Sequence, residues 1–161
     1  MTATDIHNSE DLRDLYRELI LDHARNPRHF GKLKDATHTA AGINPLCGDK
    51  LKLYLRLDAA KKIDAASFEG SGCVISVASA SLLTDTIIGL DTTRAMDYFN
   101  AVTGRLTHAE PGHEISASVD VGKIRALDGV REFPARIKCA TLAWHALNAA
   151  IHQDSKPAST E

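Results

Sequence analysis

The sequence predicts an α+β fold, a small antiparallel β-sheet packed on one side by helices. Three observations carry this. Leu51, Leu53, Leu55 and Leu57 alternate with Lys50, Lys52, Tyr54 and Arg56, the period-two pattern of a half-buried antiparallel strand. A turn over residues 58–62 and a second short strand over 63–68 complete a hairpin. On both sides of that hairpin, apolar residues recur at helical spacing, near 12–23, 74–88 and 134–151.

Composition bounds the rest. A chain of 161 residues suits one domain that buries about 70% of its unfolded surface. Its 43% hydrophobic and 25% charged residues are ordinary for a soluble globular protein. A net charge of -2 lacks the basic excess of a general nucleic-acid binder. No apolar run approaches the roughly 18 residues of a membrane span, and the polar start Met1-Thr2-Ala3-Thr4-Asp5 is no signal peptide. A cytoplasmic protein is expected. Three cysteines at irregular spacing match reduced metal-binding or reactive thiols better than a disulfide framework.

In chain order, residues 1–8 read as a loose arm. Ser9 caps a first helix whose face is Leu12, Leu15, Tyr16, Leu19, Ile20 and His23, and Pro27 stops it. Arg25, Arg28, His29, Lys32 and Lys34 follow in a segment that reads as a solvated loop or, alternatively, as a basic docking surface. A further strand is expected either over 37–43 or within 105–130. Glu69-Gly70-Ser71-Gly72 reads as a flexible turn, and Cys73 then opens a helix whose run Ala78-Ser79-Ala80-Ser81 is small enough for close packing. Asp91 or Thr92 caps another helix through about Val102, with Gly104 as its stop. Residues 105–130, interrupted by Pro111, Gly112, Gly122 and Gly129, carry no firm period and are expected to be partly ordered. Phe133-Pro134 opens the last helix, with Ile137, Ala140, Trp144, Leu147 and Ile151 as its core stripe and Cys139 off that stripe. Residues 152–161 read as a flexible tail.

Chemistry concentrates in Asn44-Pro45-Leu46-Cys47-Gly48-Asp49. In extended chain Cys47 and Asp49 point to the same side, unless Gly48 breaks the register. With Cys73 and Cys139 they make four ligands, the number a closed tetrahedral zinc site requires. Cys73 lies at a helix N-terminus, where free N–H groups and the helix dipole favour a thiolate. Each cysteine read alone is a small buried hydrophobe. Their shared placement at element edges opens the second reading, a common metal or sulfur site. No C-x-x-C pair, phosphate loop or dinucleotide fingerprint is present. No histidine stands beside a cysteine as a hydrolase would need, and His108, His113 and His145 are poor ligand candidates.

Four co-linear runs carry a resemblance: His23-Ala24-Arg25-Asn26-Pro27-Arg28, the Cys47 run above, Gly70-Ser71-Gly72-Cys73-Val74-Ile75-Ser76 and Phe133-Pro134-Ala135-Arg136-Ile137-Lys138-Cys139-Ala140. Together they resemble the IscU/NifU-N family of iron–sulfur cluster assembly proteins, from about Asp11 to Ile151. IscU scaffolds typically carry histidine before the third cysteine, where this chain has Lys138, and a shorter interval between the second and third cysteines. Both departures resemble the SufU branch, with 105–130 as its insertion in a single domain over 9–151. The resemblance implies a metal site at one end of the sheet, with Zn2+ held by Cys47, Asp49, Cys73 and Cys139. It makes Cys47 the acceptor of sulfur from a SufS-type cysteine desulfurase, feeding the SUF machinery. Arg136 would stabilise the anion, or be only a solvated helix charge. On this reading the chain is a sulfur carrier that works with the desulfurase, not a stand-alone enzyme. Two alternatives are a scaffold holding a 2Fe–2S cluster or iron on the same residues, and a structural zinc domain.

Overall fold

The computed structural model describes residues 9–107, 122–153 and 158–159, with side chains from residue 13 onward. Helix α1 (Ser9–Arg25) precedes strands β1 (His38–Asn44), β2 (Asp49–Leu57) and β3 (Ile63–Ser71). Helices α2 (Val74–Ile87) and α3 (Thr92–Thr107) follow, then a 3-10 segment (Gly122–Glu132), helix α4 (Pro134–Ile151) and a two-residue strand β4 (Ala158–Ser159). The sheet order is β3-β2-β1-β4, antiparallel except where β4 joins β1. This is the expected α+β architecture, and the further strand falls before Asn44. Among the described residues no helix is long and apolar enough to cross a membrane.

The leucine alternation of β2 sets the layers. Leu51, Leu53 and Leu55 are buried, and α4 lies across β1 and β2 while α2 lies against β3 and α4. Small residues let α2 and α4 approach closely. Ser79 is fully buried; its hydroxyl donates to the Ala140 carbonyl at 2.5 Å and accepts the Trp144 indole N–H at 3.2 Å. The largest core side chain therefore has its one polar atom satisfied.

Several expectations need correction. Glu69-Gly70-Ser71 is not a flexible turn, because β3 runs on through Ser71 beside Lys50 and Leu51 of β2. A Cβ on Gly70 would lie 2.2 Å from the Lys50 carbonyl oxygen, so glycine serves close strand approach there. Helix α3 passes Gly104 and ends at Thr107. Ala101, Val102 and Leu106 are buried, and burial outweighs the roughly 1 kcal/mol that a mid-helix glycine costs. Arg105 also clamps Asp128 of the 3-10 segment with two hydrogen bonds, 2.7 and 2.6 Å. The part of 105–130 described here is thus regular at both ends, and residues 108–121, with His108 and His113, lie outside the described residues. Residues 152–161 are not wholly a tail, since Ala158 and Ser159 pair with Gly42 and Ile43. Leu15, placed on the buried face of α1, is 59% exposed. Tyr54 keeps its outward parity yet is buried. Lys52 covers its ring at 5.3 Å and Glu69 accepts its hydroxyl proton.

The basic loop after α1 is tied down rather than simply solvated. Arg28 pairs with Asp22 at 2.6 Å, and its peptide N–H donates to Ser81 Oγ at 2.8 Å. Beside it, His29 and Gly31 hydrogen-bond Phe68 and cover the edge of β3.

Candidate metal centre

The β1–β2 connection brings the first ligand candidates together. Asn44 ends β1 and pairs with Asp49, which begins β2, leaving a four-residue loop. The Asn44 carbonyl accepts the N–H groups of Cys47 and Gly48 at 3.3 and 2.9 Å. Gly48 takes φ +72°, a left-handed turn that L side chains adopt poorly. That turn breaks the shared parity of Cys47 and Asp49. Asp49 is buried at 1% exposure, while Cys47 is exposed.

The other two cysteines arrive on helix N-termini. Cys73 is the N-cap of α2, and its sulfur accepts the Ser76 N–H at 3.4 Å. Cys139 lies in the second turn of α4 and is buried. It lies off the Ile137–Ile151 stripe as expected, yet it is buried because α4 is central. Helices α2 and α3, the 3-10 segment and strands β1 and β2 all pack on it, so almost no face stays free.

The ligand atoms of Cys47, Asp49 and Cys139 all lie within 4.8 Å of one another. The Cys47 and Cys139 sulfurs are 3.6 Å apart, close to the roughly 3.8 Å edge of a tetrahedron with zinc–sulfur bonds of about 2.3 Å. Cys73 stands beside this group rather than inside it. Its peptide N–H donates to Asp49 Oδ1 at 2.9 Å, and its thiol is among the groups that act on Cys139.

The electrostatics call for a cation. Burial, with hydrogen bonding to Asp49, Cys73 and Cys47, pushes the Cys139 thiol far up, so without a cation it keeps its proton. Burial also works against the Asp49 carboxylate. Donation from Ser76, the Cys73 N–H, Cys139 and Asn44 outweighs it and holds the group below the usual carboxylate range. Among the described residues no basic side chain pairs with Asp49. Two thiols and one carboxylate converging, with the Cys73 thiol beside them and no resident positive charge, are a donor set that fits zinc.

Arg136 does not enter this group. It is exposed, and its guanidinium lies over the Phe133 ring at 5.2 Å. His145 packs edge-on against Phe99, away from any ligand role. Large apolar side chains in the same loop and helix openings stay exposed: Leu46 beside Cys47, Val74 beside Cys73, and Phe133 at the start of α4. The cleft next to Asp49, lined by Leu51, Phe68, Ser76, Val77 and Leu142, offers about 10 Å³. That is space for one water at most, not for an organic substrate.

Asn44 and Ser76 were missed as functional residues. Asn44 is fully buried; its amide donates to Asp49 Oδ2 at 3.2 Å and to Cys139 Sγ at 3.6 Å. Ser76 donates to the same Asp49 Oδ2 at 2.7 Å. The signal for Ser76 was its position three residues after an N-cap, where a helix N–H turns back to the cap.

A model of the NifU-like N-terminal domain matches residues 15–103. The chain is 42% identical to the zinc-dependent sulfurtransferase SufU of Bacillus subtilis, over 89% of this chain and 94% of that protein. It is 38% identical to the iron–sulfur cluster assembly scaffold protein IscU of Streptococcus pyogenes, over 89% and 87%. Among solved structures, an iron–sulfur cluster assembly scaffold protein for the SUF system (FiSufU) of Fervidobacterium islandicum superposes with a TM-score of 0.74 at 32% identity, covering 83% of this chain and 94% of that one.

Proposed function

This chain belongs to the NifU-like N-terminal domain family, and from that premise we propose that it is a SufU-type sulfur acceptor of iron–sulfur cluster assembly. The observation that carries the reading is an asymmetry within one ligand set: Cys47 is exposed, whereas Asp49 and Cys139 are buried. One thiol faces a partner while the others stay anchored.

In this reading Cys47, Asp49, Cys73 and Cys139 hold zinc. The bound ion keeps the thiols ionised and contributes no redox chemistry of its own. The chain's residues do the rest. The turn at Gly48 leaves Cys47 exposed while its sulfur stays 3.6 Å from that of Cys139, and Cys47 Sγ attacks the outer sulfur of a persulfide on the desulfurase. One S–S bond forms and one breaks; the desulfurase cysteine leaves as a thiolate, and Cys47 carries the persulfide with no net oxidation. The exposed Leu46, Val74 and Phe133 give a docking partner apolar surface around that thiol. Arg136, resting on Phe133, would act as a rim cation for the transferred sulfur. The partner would be a SufS-type cysteine desulfurase in the cytoplasm, with the SUF machinery downstream. Residues 9–151 would form one domain, with 105–130 as the SufU-type insertion.

Elemental analysis of the purified protein, paired with a desulfurase rate assay, tests this. One zinc per chain and a rate stimulation that Cys47→Ala abolishes are expected. Full stimulation by Cys47→Ala would refute the acceptor assignment. Iron with matching sulfide and little stimulation would favour the IscU-type scaffold, a reading kept alive by the 38% identity to an IscU protein. Zinc with no stimulation would leave a structural domain.

A further inference from the structure

We infer that Ser76 is a positioning residue for the metal centre, acting through Asp49; the inference rests on the reading of Asp49 as a ligand. Ser76 is 4% exposed, in the first turn of α2. It meets three of the four ligand residues. Its peptide N–H donates to Cys73 Sγ at 3.4 Å, its hydroxyl lies 2.7 Å from Asp49 Oδ2, and the same hydroxyl lies 3.3 Å from the Cys139 carbonyl. A hydroxyl has one proton to give. The shorter contact to a charged acceptor takes it, because charge-assisted hydrogen bonds are roughly twice as strong as neutral ones.

The consequence lies in how the carboxylate is filled. Oδ2 accepts from Ser76 at 2.7 Å and from Asn44 at 3.2 Å. Oδ1 accepts the Cys73 N–H at 2.9 Å, and the Cys139 thiol donates to the same carboxylate. Each carboxylate oxygen has about two lone-pair directions, so Ser76 and Asn44 fill both directions of Oδ2, while Oδ1 carries one backbone donor. Ser76 thereby selects which oxygen is offered to the metal and stops the carboxylate from rotating. A ligand that rotates freely in the empty site must be ordered at each binding event, which lowers affinity.

The test is zinc competition against a chromophoric chelator, with the Co2+ visible spectrum as a second readout. Ser76→Ala should weaken zinc binding by about 10- to 100-fold, the usual effect of removing a group that orients a ligand. Ser76→Thr keeps the donor and should bind more tightly than Ser76→Val, which has the same shape without it. In the Asp49→Ala background the Ser76→Ala effect should vanish, and the Co2+ bands should shift with Ser76→Val but not with Ser76→Thr. The Thr and Val pair carries the test if Ser76→Ala does not fold.

Equal affinity of Thr and Val variants, or an unchanged Ser76→Ala penalty without Asp49, overturns the inference. A parent chain that takes up no zinc overturns the ligand set instead. Neither readout involves a desulfurase, so the sulfur-acceptor reading can fail separately.

Discussion

Helix α2 carries two buried polar clusters, and they are built oppositely. Toward α1, Ser81 Oγ meets His23 Nδ1 at 2.7 Å and accepts the Arg28 N–H at 2.8 Å, while Thr84 reaches the Arg28 carbonyl at 3.2 Å. Donors there meet acceptors from a neighbouring loop, and the cluster holds that loop down. Toward α4, Ser76, Asn44 and the Cys73 N–H converge on a carboxylate and thiols that have no positive partner. Both clusters use small hydroxyl residues on one helix. The difference is what stands opposite them: an imidazole and a loop backbone in one case, a carboxylate and thiols in the other. The first cluster fastens a loop to the helix even though His23 Nε2 stays buried without a partner, whereas thiols and a carboxylate facing one another mark a place for a cation.

The contrast breaks if substitutions in the two clusters behave alike. Ser81→Ala should cost about 2–3 kcal/mol in urea unfolding, because it strips partners from a buried imidazole and a peptide N–H. Its zinc affinity should equal that of the parent. Gly72→Ala should do the reverse. The added Cβ would lie 2.6 Å from Asp49 Oδ1, so zinc affinity should fall by at least tenfold, with an overpacking cost of about 1–3 kcal/mol in the metal-free chain. Zinc loss in Ser81→Ala, or normal zinc binding in Gly72→Ala, would erase the distinction.

A pH comparison in chelator separates them further. Burial holds His23 below its usual value; Arg28 and Lys123 add to this, against Asp22 and Asp85. Burial lowers His145 as well. A histidine with a depressed folded pKa is neutral in both states above about 6.5. Below that the unfolded chain takes the proton first, so stability falls with pH. Stability should therefore drop as the pH is lowered from 7.5 to 5.5, by no more than about 1.4 kcal/mol per histidine, and His23→Gln should remove its share. Asp49 has the opposite sign. Its depressed pKa adds stability that is present above the ordinary carboxyl value of 3.8 and is lost only as pH falls below it. It should therefore not contribute between 7.5 and 5.5. The smallest effect expected is Arg105→Ala, about 1 kcal/mol, since the Arg105–Asp128 pair is only partly buried.

Legibility followed the range of the interactions. The β2 strand was readable because its period is local, and α1 ended near Pro27 because proline's effect is local too. The N-cap position of Cys73 was readable for the same reason. Glycines misled where they serve a distant neighbour: Gly70 fits against the Lys50 carbonyl and Gly72 against Asp49, although both read as flexibility. Gly104 misled because packing of α3 overrode propensity. Cys139 looked off-stripe because a stripe assumes one buried face, and α4 is covered on nearly all of them.

By itself, then, the sequence determined the four α-helices, the β2–β3 hairpin and the core-facing leucines of β2, and it offered four residues whose chemistry suits a metal. Only the tertiary structure decided their unequal roles. It left Cys47 exposed at the Gly48 turn, sank Asp49 and Cys139, and brought Asn44 and Ser76 onto one carboxylate oxygen. The physical reason is that periodicity and capping act within a few residues. Burial and hydrogen-bond direction at this site depend instead on segments up to 95 residues apart.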